Sequence, residues 1–597
     1  MFESNKRTAK QGLATSDDFR FVRTSWEVFD LDWKPFAKGG EYSLYHSDIH
    51  LKVNWRLDGK EMKALVCQKY PYLKGAWGFV VKNSNYYFRP ALTWPLRTTS
   101  GFGPRIMPTG CAFGHKGPAI FVENDSETDL LVLQGILSST AYKYILSLQL
   151  AAADAAARSY EVGLIQKTPI PELSDSTKKI IKELVIEAWN LTFSYDFIDE
   201  TARAFILPEL LLEKRFGYST KTINQNLEEI QCEINRIGFE LYNFKKIDIE
   251  NALIREGSGF KPKKINAQSE KENALLSWCV GLSFGYLKDQ TLKSSQFDKI
   301  NPLDAINYEE RSNFNHNNLT IIDTILTTGF SSDKDLGNRV QIILKGCEEV
   351  LSVNVSKWLN AEFFKNHLKN YTKSRRAAPL VWPLETISSE YKIWLYAHKL
   401  SQQTLLTCIN EFIEPEIDEI TKELTNLMGV NSRTNVQEKR IDKLTSHQLE
   451  LSDLKGEMLR VSKFWQPNLN DGVQITAAPL WRLFQHKVWQ KKLKKTWEQL
   501  QEGEYDWAHL AFSTWPERVL KKCHEDRSLA IAHDVEADLW HEVEVIKGKK
   551  KEPVWEWQPK PLSYTEIYTY IKEKIATDER LKLYRSNNAS NLNGGKL

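Results

Sequence analysis

The residues with the plainest chemical potential are cationic side chains interleaved with aromatic rings. Between residues 51 and 120, eleven Lys or Arg (Lys52, Arg56, Lys60, Lys63, Lys69, Lys74, Lys82, Arg89, Arg97, Arg105, Lys116) stand against Asp58 and Glu61. That is a local net charge of +9 in a chain whose formal net charge is only +3. Trp55, Tyr70, Tyr72, Trp77, Phe79, Tyr86, Tyr87, Phe88, Trp94, Phe102 and Phe113 share the stretch. Lys and Arg neutralise phosphates, Arg can fork onto guanine O6 and N7, and rings lie along a groove or on a displaced base. The candidates for contact with double-stranded DNA are Arg89, Arg97, Thr98, Thr99, Ser100, Arg105 and Lys116, because Gly and Pro place them on loops able to reach into a groove. A second basic run, KNHLKNYTKSRRAAPLVWPL, sets Lys365, Lys369, Lys373, Arg375 and Arg376 before a Pro-limited strand. Lys373, Arg375 and Arg376 join the candidates as phosphate contacts. The competing account of the first island is a basic sheet with solvated Arg stems.

The same search for bond-making chemistry yields no catalytic residue and no metal ligand. Adenine N6 methylation needs a Gly-rich turn at the cofactor and an (N/D)PP(Y/F) loop for the base, and no such tetrapeptide occurs. Asn301 begins NPLD, and the glycine pairs Gly101/Gly103 and Gly257/Gly259 read as turns. Glu536, Asp538, Glu542, Glu544 and Lys547 resemble a nuclease cluster, but Glu544-Val-Ile-Lys547 is one residue longer than the usual Glu-x-Lys strand. That run reads as a solvated face. His46 and His50 would need a helix to converge on a metal, and SLYHSDIHLKVNW looks extended. There is no nucleotide-binding G-x-x-x-x-G-K-S/T loop. The seven Cys have no C-x-x-C spacing, which argues against a zinc ribbon or a disulfide framework and suits a reducing cytoplasm.

Positioning these groups requires several folded units. At 597 residues, with 42% hydrophobic and 26% charged residues, the chain suits an α+β multidomain protein. Nineteen Trp suggest that some rings serve binding surfaces as well as cores. Residues 1–175 alternate aromatic and β-branched runs with Gly and Pro, as a mixed α/β domain does, with VGLIQKTPIPEL as its terminal strand. Helical periodicity marks a connector at 176–290. A Ser- and Asn-rich loop over 288–318 opens a second mixed region at 291–400. Apolar residues at Ile417, Ile420, Leu424 and Leu427, then at Ile441, Leu444, Leu451, Leu454 and Met458, predict an antiparallel helical pair within 401–470. A mainly helical domain covers 471–585, and 586–597 reads as a disordered tail. The polar start carries no secretory apolar stretch, and no uncharged apolar run is long enough for a bilayer.

Several strings are long and unusual in composition: KQGLATSDDFRFVRTSWEV from Lys10, KGGEYSLYHSDIHLKVNW from Lys38, GFGPRIMPTGCAFGHKGPAIF from Gly101 and ARSYEVGLIQKTPIP from Ala157. Further on come WLNAEFFKNHLKNYTKSRRAAPLVWPL from Trp358, WLYAHKL from Trp394 and YDWAHLAFSTWPERVLKKCHEDRSLAIAH from Tyr505. In these the sequence resembles the C-terminal, post-catalytic half of the large adenine-specific DNA methyltransferases of phage-defence systems, the PglX type of BREX and its relatives in DISARM. The resemblance implies a target-recognition domain at 1–175, a helical spacer and a C-terminal domain. It implies that the cofactor and NPPY segments lie elsewhere, on a separate catalytic methyltransferase chain, or that the chain is a truncated remnant. The methionine start and intact patterning favour the first. On that account the chain is a sequence-specificity subunit that binds duplex DNA, its methyltransferase partner and other defence proteins. It carries no cofactor of its own, S-adenosylmethionine sitting on the partner. A divergent nuclease or methyltransferase, or a structural adaptor, is the alternative.

Overall fold

The computed structural model of the chain describes residues 6–150, 158–287, 302–303, 329–349, 351, 353–547 and 552–592. The Ser- and Asn-rich loop expected over 288–318 lies almost wholly outside them, as do residues 593–597 of the tail. The architecture is α+β, with helices in the majority and several small sheets. The described residues fall into two discontinuous compact units. The first is drawn from Met1–Ser16, Phe21–Trp55 and Leu73–Thr324, the second from Asp17–Arg20, Arg56–Tyr72 and Ile325–Leu597. No helix among the described residues is long and apolar enough to cross a membrane.

In the first unit, an antiparallel sheet runs in the order Arg7–Lys10, Ala119–Val122, Ala91–Thr93, Arg105–Met107. A second sheet orders Val22–Thr24, Leu51–Asn54, Trp33–Ala37 and Ala112–Phe113, the last pair parallel. The helix Glu127–Ser138 is buried continuously from Leu130 to Ser138, as its run LLVLQGIL requires, with that run's one polar side chain, Gln134, donating to the Pro104 carbonyl at 2.7 Å. Gly135 lets it close on the helix Asp175–Phe193, where any side chain would strike Ile181. Thr220–Leu241 follows with buried Ile223, Leu227, Ile230 and Ile234 at helical spacing, and Gln268–Phe284 is buried throughout its second half. One expectation fails locally. VGLIQK is the helix Val162–Lys167, ended before Pro169, and not a strand.

The second unit contains a three-stranded sheet, Phe330–Ser332, Lys392–Tyr396 and Val381–Glu385, whose last two strands are buried at every position. The helices Glu414–Met428 and Asn435–Ser462 pack together through Ile420, Leu424, Ile441, Leu444 and Leu451, with Thr434 and Gln437 forming a capping box at the second start. Helices continue to Lys582–Leu592, so residues 586–592 of the expected disordered tail are helical. A hairpin, Trp540–Lys547 with Glu552–Pro559, interrupts them. Trp94, Trp189 and Trp278 in the first unit and Trp382, Trp394, Trp465 and Trp489 in the second are buried, so much of the Trp excess fills cores.

Candidate nucleic-acid interface

The Gly and Pro punctuation that suggested exposed loops in the first unit builds them around one buried residue, Leu96. Its amide donates to the Lys116 carbonyl at 2.9 Å, and its own carbonyl accepts from the Tyr160 amide at 2.7 Å. Trp94 reinforces the join, its indole N–H reaching the Tyr160 carbonyl at 2.8 Å. The ladder Arg97–Thr98 with Arg158–Ser159 therefore emerges beside the turn that carries Lys116. Arg97, Thr99 and Lys116 are exposed, and Thr98 and Ser100 are half-buried. The Ser100 amide donates to Thr98 Oγ1 at 3.0 Å, tightening the loop before Gly101 at φ 96°. Five of the seven first-unit candidates thus fall on neighbouring backbone, Thr99, Ser100 and Lys116 on loops as expected but Arg97 and Thr98 on a short paired strand.

Arg105 and Arg89 do not. Arg105 lies on the strand Arg105–Met107, only 4% exposed. Its guanidinium donates to the Glu41 carbonyl at 2.7 Å and to the Gly39 carbonyl. Burial lowers its pKa to about 10, which leaves it charged at neutral pH. Arg105 is a strut under the 39–42 loop, because strand pairing with Ala91–Thr93 turns it inward. Arg89 is held by Asp125 through Nε at 3.0 Å and Nη2 at 2.7 Å, and its guanidinium lies over the adjoining rings of Tyr86 and Phe121. An opposite charge already occupies its fork. The interleaved rings are corrected too: Trp55, Tyr87, Trp94, Phe102 and Phe113 are buried, whereas Tyr72 and Phe79 are exposed. A mixed sheet with so few long strands draws on ring area for its core.

Basic residues absent from the candidate set stand beside this surface. Arg158 pairs with Glu256 at 2.8 Å. The 257–259 segment is pinned by Thr140 Oγ1 on the Gly257 carbonyl at 3.2 Å, Asn235 Nδ2 on Ser258 at 2.8 Å and the Tyr42 hydroxyl on Gly259 at 2.9 Å. It presents Lys261 and Lys263, both exposed, over the rings of Tyr42 and Tyr195 at 5.2 and 5.9 Å. The run GSGFKPKK was the readable signal: a Gly- and Pro-broken basic loop inside a helical region. Beneath it, the Lys143 ammonium is buried, and burial lowers its pKa to about 7 despite nearby Glu256.

No family model matches the chain. It is similar to adenine-specific methyltransferase PglX of Lacticaseibacillus casei (strain Zhang), 22% identical over 526 residues, covering 79% of this chain and 42% of that protein. It is also similar to adenine-specific methyltransferase BrxX of Escherichia coli O9:H4 (strain HS), 23% identical over 506 residues, covering 74% of this chain and 39% of that one. Both similarities are to PglX-type adenine-specific methyltransferases and extend over about three quarters of this chain. The chain spans about two fifths of the length of these relatives.

Of the two glycine pairs, a Cβ at Gly103 would lie 2.8 Å from the Tyr42 ring and one at Gly259 2.9 Å from Lys143 Nζ, whereas Gly257 has nothing within 4 Å and Gly101 only Glu256 at 4.0 Å. The acidic run is structural in part. Glu536 pairs with Lys60 and with Arg527, the latter at 2.8 Å, and Glu542 and Glu544 alternate along one hairpin strand. Asp196 Oδ2 accepts from His46 Nε2 at 2.6 Å, and the imidazole packs edge-on against Trp189 and Phe193. Among the described residues no group of three His, Cys, Asp or Glu could hold a metal ion.

The basic island itself is divided. Arg56, Lys60, Lys63 and Lys69 belong to the second unit, on the helical segment Arg56–Lys69, where Arg56 pairs with Asp534 and Lys63 with Asp58. The second candidate cluster is also in that unit, on the hairpin Thr372–Lys373 with Arg376–Ala377. Its two turn residues, Ser374 (φ 51°) and Arg375 (φ 67°), are both left-handed, as a type I′ turn demands but non-glycine residues resist. Arg375 is exposed at the tip. Arg376 folds back to donate to the Asp18 carbonyl at 2.9 Å over the Phe19 ring, and Lys373 is half-buried.

Proposed function

We propose that this chain supplies DNA sequence recognition for adenine-N6 methylation in a phage-defence system of the BREX or DISARM kind. A separate catalytic methyltransferase chain would bring S-adenosylmethionine and the base-handling loop. The observation that carries the reading is the surface organised by Leu96, where Arg97, Thr98, Thr99, Ser100 and Lys116 emerge together on rigidly joined loops. Rigid loops bearing one fork-shaped cation, short hydroxyl side chains and a point charge combine phosphate positioning with base readout. Similarity to two adenine-specific methyltransferases over about three quarters of the chain supports the chemistry that this recognition would serve. Arg375, at the tip of its own hairpin, contributes a phosphate contact, with Lys373 beside it, whereas Arg89, Arg105 and Arg376 act through the loops and hairpin they hold.

Selection from a randomised duplex library with the purified chain, alone and with its catalytic partner, tests this directly. A motif should be enriched at moderate salt. Arg97→Ala should then cost about 1–3 kcal/mol at one position of the motif, and Lys116→Ala should weaken all sequences alike. Equal retention of motif and scrambled duplex under both conditions would end the proposal.

A further inference from the structure

The helix Lys487–Glu502 in the second unit buries Trp489, Leu493, Thr496 and Leu500 along one face. At 3.6 residues per turn, Lys487, Lys491, Lys494 and Lys495 fall on the opposite arc, and all four are exposed. Lys487, Lys491 and Lys495 have no ion-pair partner among the described residues. The first acid on the arc is Glu498, 3.9 Å from Lys494. Lys494 and Arg482 both lie over the half-buried Trp481 ring, at 5.3 and 5.2 Å. The cationic surface continues past the start of the helix. His486 caps it, accepting from the Trp489 amide at 3.4 Å, and its ring meets Phe364 edge-on at 5.6 Å. Phe364 begins the helix Phe364–Asn370, and the charge of the next residue, Lys365, reaches His486. Glu362 and Glu457 are the acids closest to Lys365 and Arg482, at 3.4 and 3.6 Å.

We infer that Lys487, Lys491 and Lys495, flanked by Lys365 and Lys494, form a second, sequence-independent contact for the phosphate backbone of duplex DNA. The row spans roughly 12 Å at 1.5 Å per residue, a length over which duplex DNA carries about seven negative charges. Lysines act as point charges and lack the planar fork that reads a base, so the contact anchors without choosing sequence. The apolar face of the helix is buried in its own unit, and Val488, the one large exposed apolar side chain of the helix, is too little to anchor it in a bilayer. The arc also lacks the ring-rich apolar centre of a protein–protein interface. The inference shares with the proposed function only the ligand, duplex DNA. It needs no recognised motif and no residue of the first unit.

The test is binding of the full chain to a random-sequence duplex of about 30 base pairs by fluorescence anisotropy, over roughly 50–200 mM salt. Combining Lys487→Gln, Lys491→Gln and Lys495→Gln should flatten the plot of log K against log salt by about 2–3, near 0.9 for each phosphate no longer neutralised. The matching triple Lys→Arg variant should keep the wild-type slope. Arg97→Gln with Lys116→Gln serves as the parallel arm. Wild-type slope and affinity in the triple Gln variant would overturn the inference, as would failure of the wild-type chain to bind any duplex. So would displacement of the duplex by polyglutamate at equal charge concentration, which would mark a generic anion patch. A chain that binds random duplex through these lysines yet enriches no motif would refute the recognition role and support this surface.

Discussion

Arg105 offers the sharpest discrimination between contacting DNA and shaping a loop of the surface proposed to contact DNA. Its guanidinium satisfies the carbonyls of Gly39 and Glu41 from beneath, and both glycines of that loop are left-handed, Gly39 at φ 95° and Gly40 at φ 104°. A hydrogen bond from a charged donor contributes about 1.5–3 kcal/mol, and a buried carbonyl left without one costs about 1–3 kcal/mol. In Arg105→Lys the ammonium keeps the charge but reaches at most one carbonyl, so destabilisation of about 2–4 kcal/mol is expected. For a unit of this size that is a fall of about 5–15 °C in melting temperature. Thermal unfolding and amide hydrogen exchange at residues 39–42, both without DNA, read the effect. Faster exchange in that loop is the expected signature. If Arg105→Lys melts and exchanges like the wild-type chain yet binds duplex tenfold more weakly, the strut assignment is wrong and the guanidinium meets the ligand itself.

Two further expectations follow from buried or strained groups. Burial lowers the Lys143 pKa from 10.5 to about 7, so between these values the unfolded chain holds a proton that the native chain does not. Stability therefore rises with pH across that window, and the cost of burial persists in full below it. Lys143→Met should abolish the rise and stabilise the first unit at pH 7 by up to about 5 kcal/mol, as compared by denaturant midpoints at pH 7 and 10. A slope that survives the substitution would assign it to another group. In the second unit, replacing Ser374-Arg375 with Asn-Gly relieves two left-handed non-glycine residues and should add about 1–2 kcal/mol. The same change should weaken binding to duplex of any sequence, and a variant that binds random duplex as tightly as the wild-type chain would remove Arg375 from the interface.

Legibility followed the range of the interactions. The helices Glu414–Met428 and Asn435–Ser462 announce themselves because an apolar face at 3.6-residue spacing is a local property, and Glu127–Ser138 through the length of its apolar stretch. The hairpin Trp540–Lys547 with Glu552–Pro559 was also written locally, in HEVEVIK and EPVWEW, but its alternating charge drew attention to acid chemistry instead of strand period. VGLIQK misled because the prolines that follow it suit a strand end and a helix end equally. On the surface organised by Leu96, exposure of Arg97 and Lys116 follows from their Gly and Pro neighbours. The inward turn of Arg105 depends on Thr93, twelve residues earlier, and the capture of Arg89 depends on Asp125, 36 residues later. Composition could not separate cation from strut, because both are Arg in a basic, Gly-rich stretch. Nor could it separate stacking rings from core rings such as Trp94 and Phe102, since burial is settled by the sheet and not by the ring.

The second unit borrows Asp17–Arg20 and Arg56–Tyr72 from far upstream, which shapes its birth on the ribosome. The Arg20 guanidinium, held by Glu61 at 2.7 Å, donates to the Ser528 carbonyl at 2.9 Å, across 508 positions of sequence. At about 5–20 residues per second, Ser528 is synthesised roughly 25–100 s after Arg20. Throughout that interval Met62, Ala64 and Val66, which the finished unit buries, have no completed surface to cover them. Their closure against the helix that carries Ser528 is therefore one of the last events of synthesis.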